Sequence, residues 1–189
     1  MNLLEQYLEK AEAYHGHICS GQVLGIRMAL LGLKLLGLSP EDNLRDLVIF
    51  LETDRCVADA AYVVTGITVG RRRVKMFSYG KTAMSFLDLK SGRAFRVWVK
   101  TSDRPPHDAP KAEQTAFWER YIDEEILGWR EVKIELPDGD LPGPPVSVKV
   151  CQNCGEDVLD RKEVIKGGRV LCLACAEGAY YSLLESANG

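Results

Sequence analysis

Residues 15–36 read HGHICSGQVLGIRMALLGLKLL and join a segment rich in metal-ligating side chains to a long apolar one. From residue 20 onward, apolar side chains occur on most faces of a helix, so the pattern predicts a buried helix over residues 20–36. Arg27, Lys34 and the intervening glycines argue against a membrane span, which needs about 20 predominantly apolar residues. A buried helix of this kind requires a core around it.

Small residues recur along this predicted helix at steps of four, four and three: Gly21, Gly25, Ala29 and Gly32. The spacing places them in a stripe on the helix surface, where a second backbone could approach closely. That backbone could belong to the same fold or to the other chain of a dimer, and the sequence leaves both alternatives open.

The rest of the chain up to residue 136 alternates between predicted helices and short strands. Helices are predicted over residues 2–13, 40–45, 55–65 and 111–127, and strands over 47–51, 74–79, 81–89, 94–100 and 130–136. We expect Asp54 to cap the helix that begins at residue 55 and Gly66 to end it. The predicted fold class is α+β, with a core of helices and an antiparallel sheet.

Residues 137–147, PDGDLPGPPVS, contain four prolines and two glycines. This composition predicts a semi-rigid linker without regular structure. It divides the chain into a core domain over residues 1–136, the linker, and a small module over residues 148–189.

Composition and charge limit the classes of function. The chain has 189 residues, of which 46% are hydrophobic and 27% charged, as in ordinary soluble globular proteins. Its formal net charge of −3 provides no general attraction to nucleic acid or to an anionic membrane. The acidic N-terminal stretch without a basic region predicts no signal peptide. We therefore expect a cytoplasmic protein with no membrane partner.

Four of the six cysteines follow the spacing C-x2-C-x17-C-x2-C near the C-terminus: Cys151, Cys154, Cys172 and Cys175. Two C-x2-C turns can supply four thiolates to one tetrahedral zinc ion. A module of this size cannot bury much core, so metal binding would supply on the order of 10 kcal/mol of its folding free energy. The sequence predicts a structural zinc ribbon, with an iron site or a disulfide pair as the alternatives.

The charge of this module bears on its partners. From Lys149 onward, five basic residues stand against six acidic ones. A protein that binds duplex nucleic acid concentrates positive charge on its binding surface. The module is therefore expected to serve docking or dimerisation, and nucleic acid is not an expected partner.

The other two cysteines stand apart, Cys19 within His15-Gly16-His17-Ile18-Cys19 and Cys56 further along the chain. In an extended segment, His15, His17 and Cys19 would point to one face. Both cysteines lie near predicted helix starts, where free N–H groups favour a thiolate. Together with His17 they could bind a transition metal that keeps one position open. The alternatives are a reactive thiol and a small buried side chain.

The chain resembles the FmdE family, named for the E component of formylmethanofuran dehydrogenase. The resemblance is carried by HGHICSGQVLGIRMA at residues 15–29, ETDRCVADA at 52–60, TGITVGR at 65–71 and YGKTA at 79–83. A terminal cysteine ribbon occurs in a subset of that family. The resemblance implies an α+β core that dimerises, with a zinc finger appended to it.

The resemblance also implies a metal-holding cleft whose ligands are His17, Cys19 and Cys56. A zinc ion or another transition metal is expected there, in addition to the zinc of the ribbon. Four residues match positions that line the cleft and are the candidates for catalysis: His15, Asp54, Asp59 and Lys81. Ser20 departs from the family, in which many members have proline.

These observations predict a zinc-binding homodimer that is accessory to a molybdenum or tungsten redox enzyme or binds a small ligand. If the protein is an enzyme, a cleft zinc would polarise a carbonyl or activate water, with Asp54, Asp59 or His15 carrying the proton. One alternative is a zinc-ribbon regulatory or interaction protein. The other is a thiol redox protein in which Cys19 and Cys56 form a reversible disulfide.

Overall fold

The computed structural model describes residues 2–106, 108–182 and 184. The chain divides into two compact units, Met1–Glu135 and Leu136–Gly189. Among the described residues, no helix is both long and apolar enough to cross a bilayer.

Three helices make up the first half of the first unit. Helix α1 (Leu3–His15) begins with a capping box between Asn2 and Glu5 and ends at Gly16, whose φ of 87° is left-handed. Helix α2 (Ser20–Leu36) has the predicted bounds. Helix α3 (Val57–Thr65) ends at Gly66, as predicted.

A five-stranded sheet completes the first unit, in the order β2-β1-β3-β4-β5. The strands are β1 (Leu47–Leu51), β2 (Val74–Met76), β3 (Ala83–Asp88), β4 (Ala94–Val99) and β5 (Leu127–Val132). The predicted α+β class is confirmed, but the sheet is mixed, because β2 pairs with β1 in parallel. The chain between these two strands contains α3, and a helical crossover of this kind permits parallel pairing.

Most of α2 is buried, and its small residues face neighbours in the same unit. A Cβ atom added to Gly25 would lie 2.6 Å from the Cβ of Ala60 in α3. One added to Gly32 would lie 2.2 Å from two ring atoms of Phe86 in β3. The close approach of backbones therefore occurs within the fold at these two positions.

We expect Gly32→Ala to destabilise the first unit by up to about 2 kcal/mol. Overpacking of a core costs about 1–3 kcal/mol, which outweighs the roughly 1 kcal/mol that alanine gains over glycine in a helix. Phe86 is fully buried and cannot move away easily. The midpoint of denaturant unfolding measures the loss. Gly70→Ala is the control, since a Cβ there meets nothing within 4 Å. An unchanged or higher midpoint for Gly32→Ala would contradict the prediction.

The helix predicted over residues 111–127 is interrupted. It forms α4 (Lys111–Glu119) and α5 (Asp123–Ile126), and β5 begins directly afterwards. The guanidinium of Arg27 donates to the backbone oxygens of Trp118 and Tyr121, at 2.8 Å each, and to the carboxylate of Asp123 at 2.6 Å. These bonds from α2 stabilise the break, which local helical periodicity does not reveal.

The short helix predicted after Pro40 is replaced by a turn. The carboxylate of Asp42 accepts hydrogen bonds from the backbone and the hydroxyl of Ser39, at 2.7 and 3.0 Å. Only a single 3₁₀ turn follows, at Leu44–Asp46. Side chains that bond to nearby backbone compete with a helix in this way.

The second unit contains two short hairpins and one short helix. Strand β6 (Val148–Val150) pairs with β7 (Asp157–Leu159), β8 (Val164–Lys166) pairs with β9 (Arg169–Leu171), and α6 (Leu173–Glu177) follows.

The segment expected to be an irregular linker belongs to this unit and includes a 3₁₀ turn at Asp138–Asp140. Ion pairs attach this turn to the segment between the two hairpins: Asp138 bonds to Arg161 at 3.2 Å and Asp140 to Lys162 at 2.9 Å.

Candidate metal centres

Four cysteines of the second unit lie together and form a four-cysteine cluster, with their sulfur atoms within 4.8 Å of one another. Cys151 and Cys154 lie in the turn after β6, and Cys172 and Cys175 at the start of α6. The sulfur of Cys172 accepts the backbone N–H of Cys175 at 3.4 Å, and the sulfur of Cys175 accepts the side-chain amide of Asn153 at 3.3 Å.

Without a cation the thiols of Cys151 and Cys154 ionise very unequally. Backbone N–H groups of Cys154 and Cys172 lower the pKa of Cys151 to about 6. The N–H of Glu156 favours the Cys154 thiolate, but hydrogen bonding with Cys151 and burial outweigh it and raise the pKa of Cys154 to about 12. Four adjacent thiolates require a cation, and a closed set of four sulfurs suits zinc.

A second group of ligand atoms lies in the first unit, where His15, Cys19 and Cys56 each offer one atom within 4.8 Å of the others. Cys19 is the N-cap residue of α2, and Cys56 is the N-cap residue of α3. Neither thiol makes a capping hydrogen bond. The position of both cysteines at helix starts agrees with the sequence pattern.

The hydrogen bonding of the His15 ring resembles that of a metal-ligating histidine. Its Nδ1 lies 2.7 Å from a carboxylate oxygen of Asp59, while its Nε2 is buried and has no hydrogen-bond partner in the described part of the chain. A carboxylate on one ring nitrogen typically orients the other toward a metal. One imidazole and two thiols form a donor set that fits zinc or another soft transition metal.

His17, the ligand that the family resemblance implies, is exposed and lies outside this group. Its ring centroid is 4.7 Å from that of His15. Alternation along an extended segment does not apply here, because α1 continues to His15 and the chain then turns at Gly16. The structure therefore brings His15 to the two cysteines, and the ligand role of His17 stays a prediction.

Close packing of α2 against α3 holds the two cysteines together. A Cβ atom on Gly21 would lie 2.8 Å from the Cβ of Cys56 and 3.6 Å from both sulfurs. The side chain of Gln22, which is fully buried, donates to the backbone oxygen of Cys56 at 2.8 Å. Burial, followed by the proximity of Cys19, raises the pKa of the Cys56 thiol.

Gln22 was missed by the sequence reasoning. The available signal was a polar residue within a largely apolar helix.

The remaining candidates occupy different places. Asp54 was expected to cap α3, but it is exposed and does not cap the helix. The helix begins at Val57, two residues later than predicted, and Cys56 is its N-cap. Asp54 and Asp59 line a separate cavity of about 280 Å³. Lys81 is exposed and does not belong to the metal-ligand group. Of the four candidates, only His15 and Asp59 contact each other.

A cavity of about 820 Å³ opens beside the first-unit group and is lined by Cys19, Cys56 and His17. Further walls come from the start of α4 and the loop before it, from α2 and from the start of α3. A volume of roughly 300–1,000 Å³ is typical of small-molecule sites.

Residues 14–134 match the family model described as FmdE, molybdenum formylmethanofuran dehydrogenase operon. The chain belongs to the FmdE family. Residues 146–181 match the model of the prokaryotic dksA/traR C4-type zinc finger. The predicted resemblance and the predicted zinc finger are thus confirmed, and the four-cysteine cluster is a structural zinc site.

Two relatives of this FmdE protein extend over nearly its whole length. A protein of Archaeoglobus fulgidus, described as a probable S-adenosyl-L-methionine-binding protein, is 27% identical over 215 aligned positions. The alignment covers 96% of this chain and 55% of the relative, so the chain spans about half of that protein. The crystal structure of a tungsten formylmethanofuran dehydrogenase FmdE-like protein from Syntrophus aciditrophicus has a TM-score of 0.60, 26% identity and 95% coverage of each chain.

Ser20, the departure from the FmdE pattern, links α2 to α4. Its hydroxyl donates to the side-chain oxygen of Gln114 at 2.6 Å and accepts the indole N–H of Trp118 at 2.9 Å. Gln114 in turn donates to the backbone oxygen of Pro106 at 3.0 Å. Ser20 therefore helps to position the loop that borders the FmdE cavity.

Proposed function

We propose that the FmdE domain of this chain binds one zinc or similar transition-metal ion through His15, Cys19 and Cys56 and presents it to a small ligand. The observation that carries the proposal is the buried Nε2 of His15, which lacks a partner among the described residues, on a ring that offers one nitrogen to the same compact group as the two thiols. A buried nitrogen of this kind normally has a partner. A metal ion would supply one.

The donor set and its neighbours suit a ligand-binding site. Three protein ligands leave a fourth position of a tetrahedral ion open, whereas the four-cysteine cluster is closed. Asp59 holds the Nδ1 proton of His15 and so keeps Nε2 free to donate its lone pair to a metal. A bound zinc ion would act as a Lewis acid toward an oxygen of the ligand.

Metal content per chain tests the proposal. Elemental analysis of the full-length protein is expected to give two metal ions, one for each group of ligands. His15→Gln and Cys19→Ser should each reduce the content to one, because either change leaves only two ligands in the first unit. His17→Gln is the matched control and should retain both ions.

Two other outcomes would change the ligand set or the function assigned to this site. Loss of the second ion in His17→Gln but not in His15→Gln would favour the ligand set that the family resemblance implies. A single ion in the intact protein, unaffected by Cys19→Ser, would contradict the proposal. It would favour the thiol redox alternative, in which Cys19 and Cys56 form a reversible disulfide.

The name of the Archaeoglobus relative supplies a first ligand to test. That protein is described as binding S-adenosyl-L-methionine, and the cavity of about 820 Å³ is large enough for a molecule of this size. Titration calorimetry with S-adenosyl-L-methionine on the metal-loaded protein, with Cys19→Ser as the comparison, would measure such binding.

We also propose that the chain forms a homodimer and acts with a molybdenum or tungsten formylmethanofuran dehydrogenase. The description of the family and that of the Syntrophus structure support this association. Light scattering should give twice the chain mass of 21.0 kDa. Co-elution with a co-expressed dehydrogenase of this class would support the accessory role, and separate elution would contradict it.

A further inference from the structure

Two arginines without carboxylate partners line the cavity beside the proposed metal site. Arg55 makes no ion pair with any residue that the structure describes, and Arg104 donates its Nη1 only to the backbone oxygens of Thr101 and Asp103, at 2.8 and 2.6 Å. Carbonyl oxygens do not neutralise a guanidinium. Both arginines therefore keep a full positive charge available to a ligand.

The other charged residues of the lining do not cancel this charge. Lys111 forms an ion pair with Glu12, and Asp108 is the remaining acid of the described lining. Three cations and two carboxylates leave an excess of one positive charge. In the proposed metal site, two thiolates would balance a divalent ion, so the excess belongs to the cavity.

The guanidinium of Arg104 is held in place before any ligand arrives. It lies over the ring of Trp118, 5.6 Å from the ring centroid. Trp118 is fully buried, and its N–H is bonded to Ser20. A charged group that is already positioned loses little conformational entropy when it binds a ligand.

The remaining walls are largely apolar. Their apolar side chains are Ile18, Leu24, Val57, Pro105 and Ala109, and neutral polar groups are added by Ser20, Thr53, Thr82 and Gln114. A ligand that fills this space therefore needs an apolar body as well as a charged end.

We infer that the cavity takes an amphipathic monoanion, a small carboxylate whose charged end pairs with Arg55 and Arg104. Arginine presents paired N–H donors that match the two oxygens of a carboxylate. A single excess positive charge matches a monoanion better than a dianion. The inference deepens the proposed function, since it names the ligand class for the same cavity, and it rests on that proposal for the role of the metal. It favours a monoanion over S-adenosyl-L-methionine, whose sulfonium and ammonium groups outweigh its single carboxylate.

Calorimetry on the full-length, metal-loaded protein with four matched probes tests the inference. The probes are hexanoate, hexanamide, hexylammonium and hexyl phosphate, which share an apolar tail and differ in their end group. Hexanoate should bind at least about tenfold more tightly than any of the other three. Arg55→Gln and Arg104→Gln should each weaken hexanoate binding by about tenfold and leave hexanamide unchanged. Arg120→Gln is the control, because Arg120 lies over the rings of Phe117 and Tyr121 and does not line the cavity.

Each contrary result has a definite meaning. Equal binding of hexanoate and hexanamide, tighter binding of hexylammonium or hexyl phosphate, or no saturable hexanoate binding would overturn the inference. So would arginine variants that bind hexanoate normally. Two metal ions per chain without a preference for hexanoate would refute the ligand class and leave the metal site standing. Arginine-dependent hexanoate binding to a chain with one metal ion would refute the metal site instead.

Discussion

Removal of zinc from the four-cysteine cluster is expected to unfold the second unit and to leave the first unit folded. The buried core of the described second unit is very small, with Val158, Leu171 and Ala176 packed around Cys151. Its hairpins have strands of only three residues, and isolated hairpins are marginally stable at best. Zinc binding contributes on the order of 10 kcal/mol to folding in modules of this kind.

Hydrogen exchange monitored residue by residue during chelator titration measures this effect. Amides of β6 to β9 should lose protection when zinc is removed, while those of α2 and β1 keep it. Cys172→Ser should have the same effect without chelator. Cys56→Ser is the matched control, since it removes a thiol from the first unit only. Continued protection of the second unit after complete zinc removal would show that its apolar core is sufficient.

Gly21→Ala is expected to weaken metal binding at the first-unit site by about 10–100-fold, the range observed when the surroundings of metal ligands are changed. The new methyl group would lie 2.8 Å from the Cβ of Cys56, closer than such atoms approach. Since the contact is with the first atom of a side chain, rotation cannot relieve it. Cys56 must move away from Cys19, and the donor set opens.

Competition with a chromophoric chelator measures the affinity of this site. Gly32→Ala is the control, because it also overpacks α2 but acts on Phe86 rather than on either cysteine. It should lower the stability of the unit and leave the metal affinity unchanged. Equal losses of metal affinity in both variants would mean that the site responds to general strain in α2 rather than to the displacement of Cys56.

Elements encoded by local patterns could be predicted from the sequence. The bounds of α2 and the end of α3 at Gly66 follow from apolar periodicity and a terminal glycine. Strand β1 and the hairpin of β3 and β4 follow from apolar runs and the turn between them. The break between α4 and α5 could not be predicted, because Arg27 makes it from a distant part of the chain.

The candidate site also has one part that the sequence predicted and another that it could not predict. The two cysteines were identified from their positions near predicted helix starts and from the family resemblance, whereas the grouping of His15 with them depends on where α1 ends. The support from Gln22 and the two arginines of the cavity involve residues far apart in the sequence. Periodicity and motif spacing carry no information about such contacts.

The sequence by itself determined the zinc finger, the α+β class and the family, because ligand spacing, apolar periodicity and contiguous motifs are properties of neighbouring residues. Only the tertiary structure decided which histidine joins Cys19 and Cys56 and which side chains line the cavity. Those residues meet because α2 packs on α3 without side chains at Gly21 and Gly25. Such proximity is produced by close packing between elements.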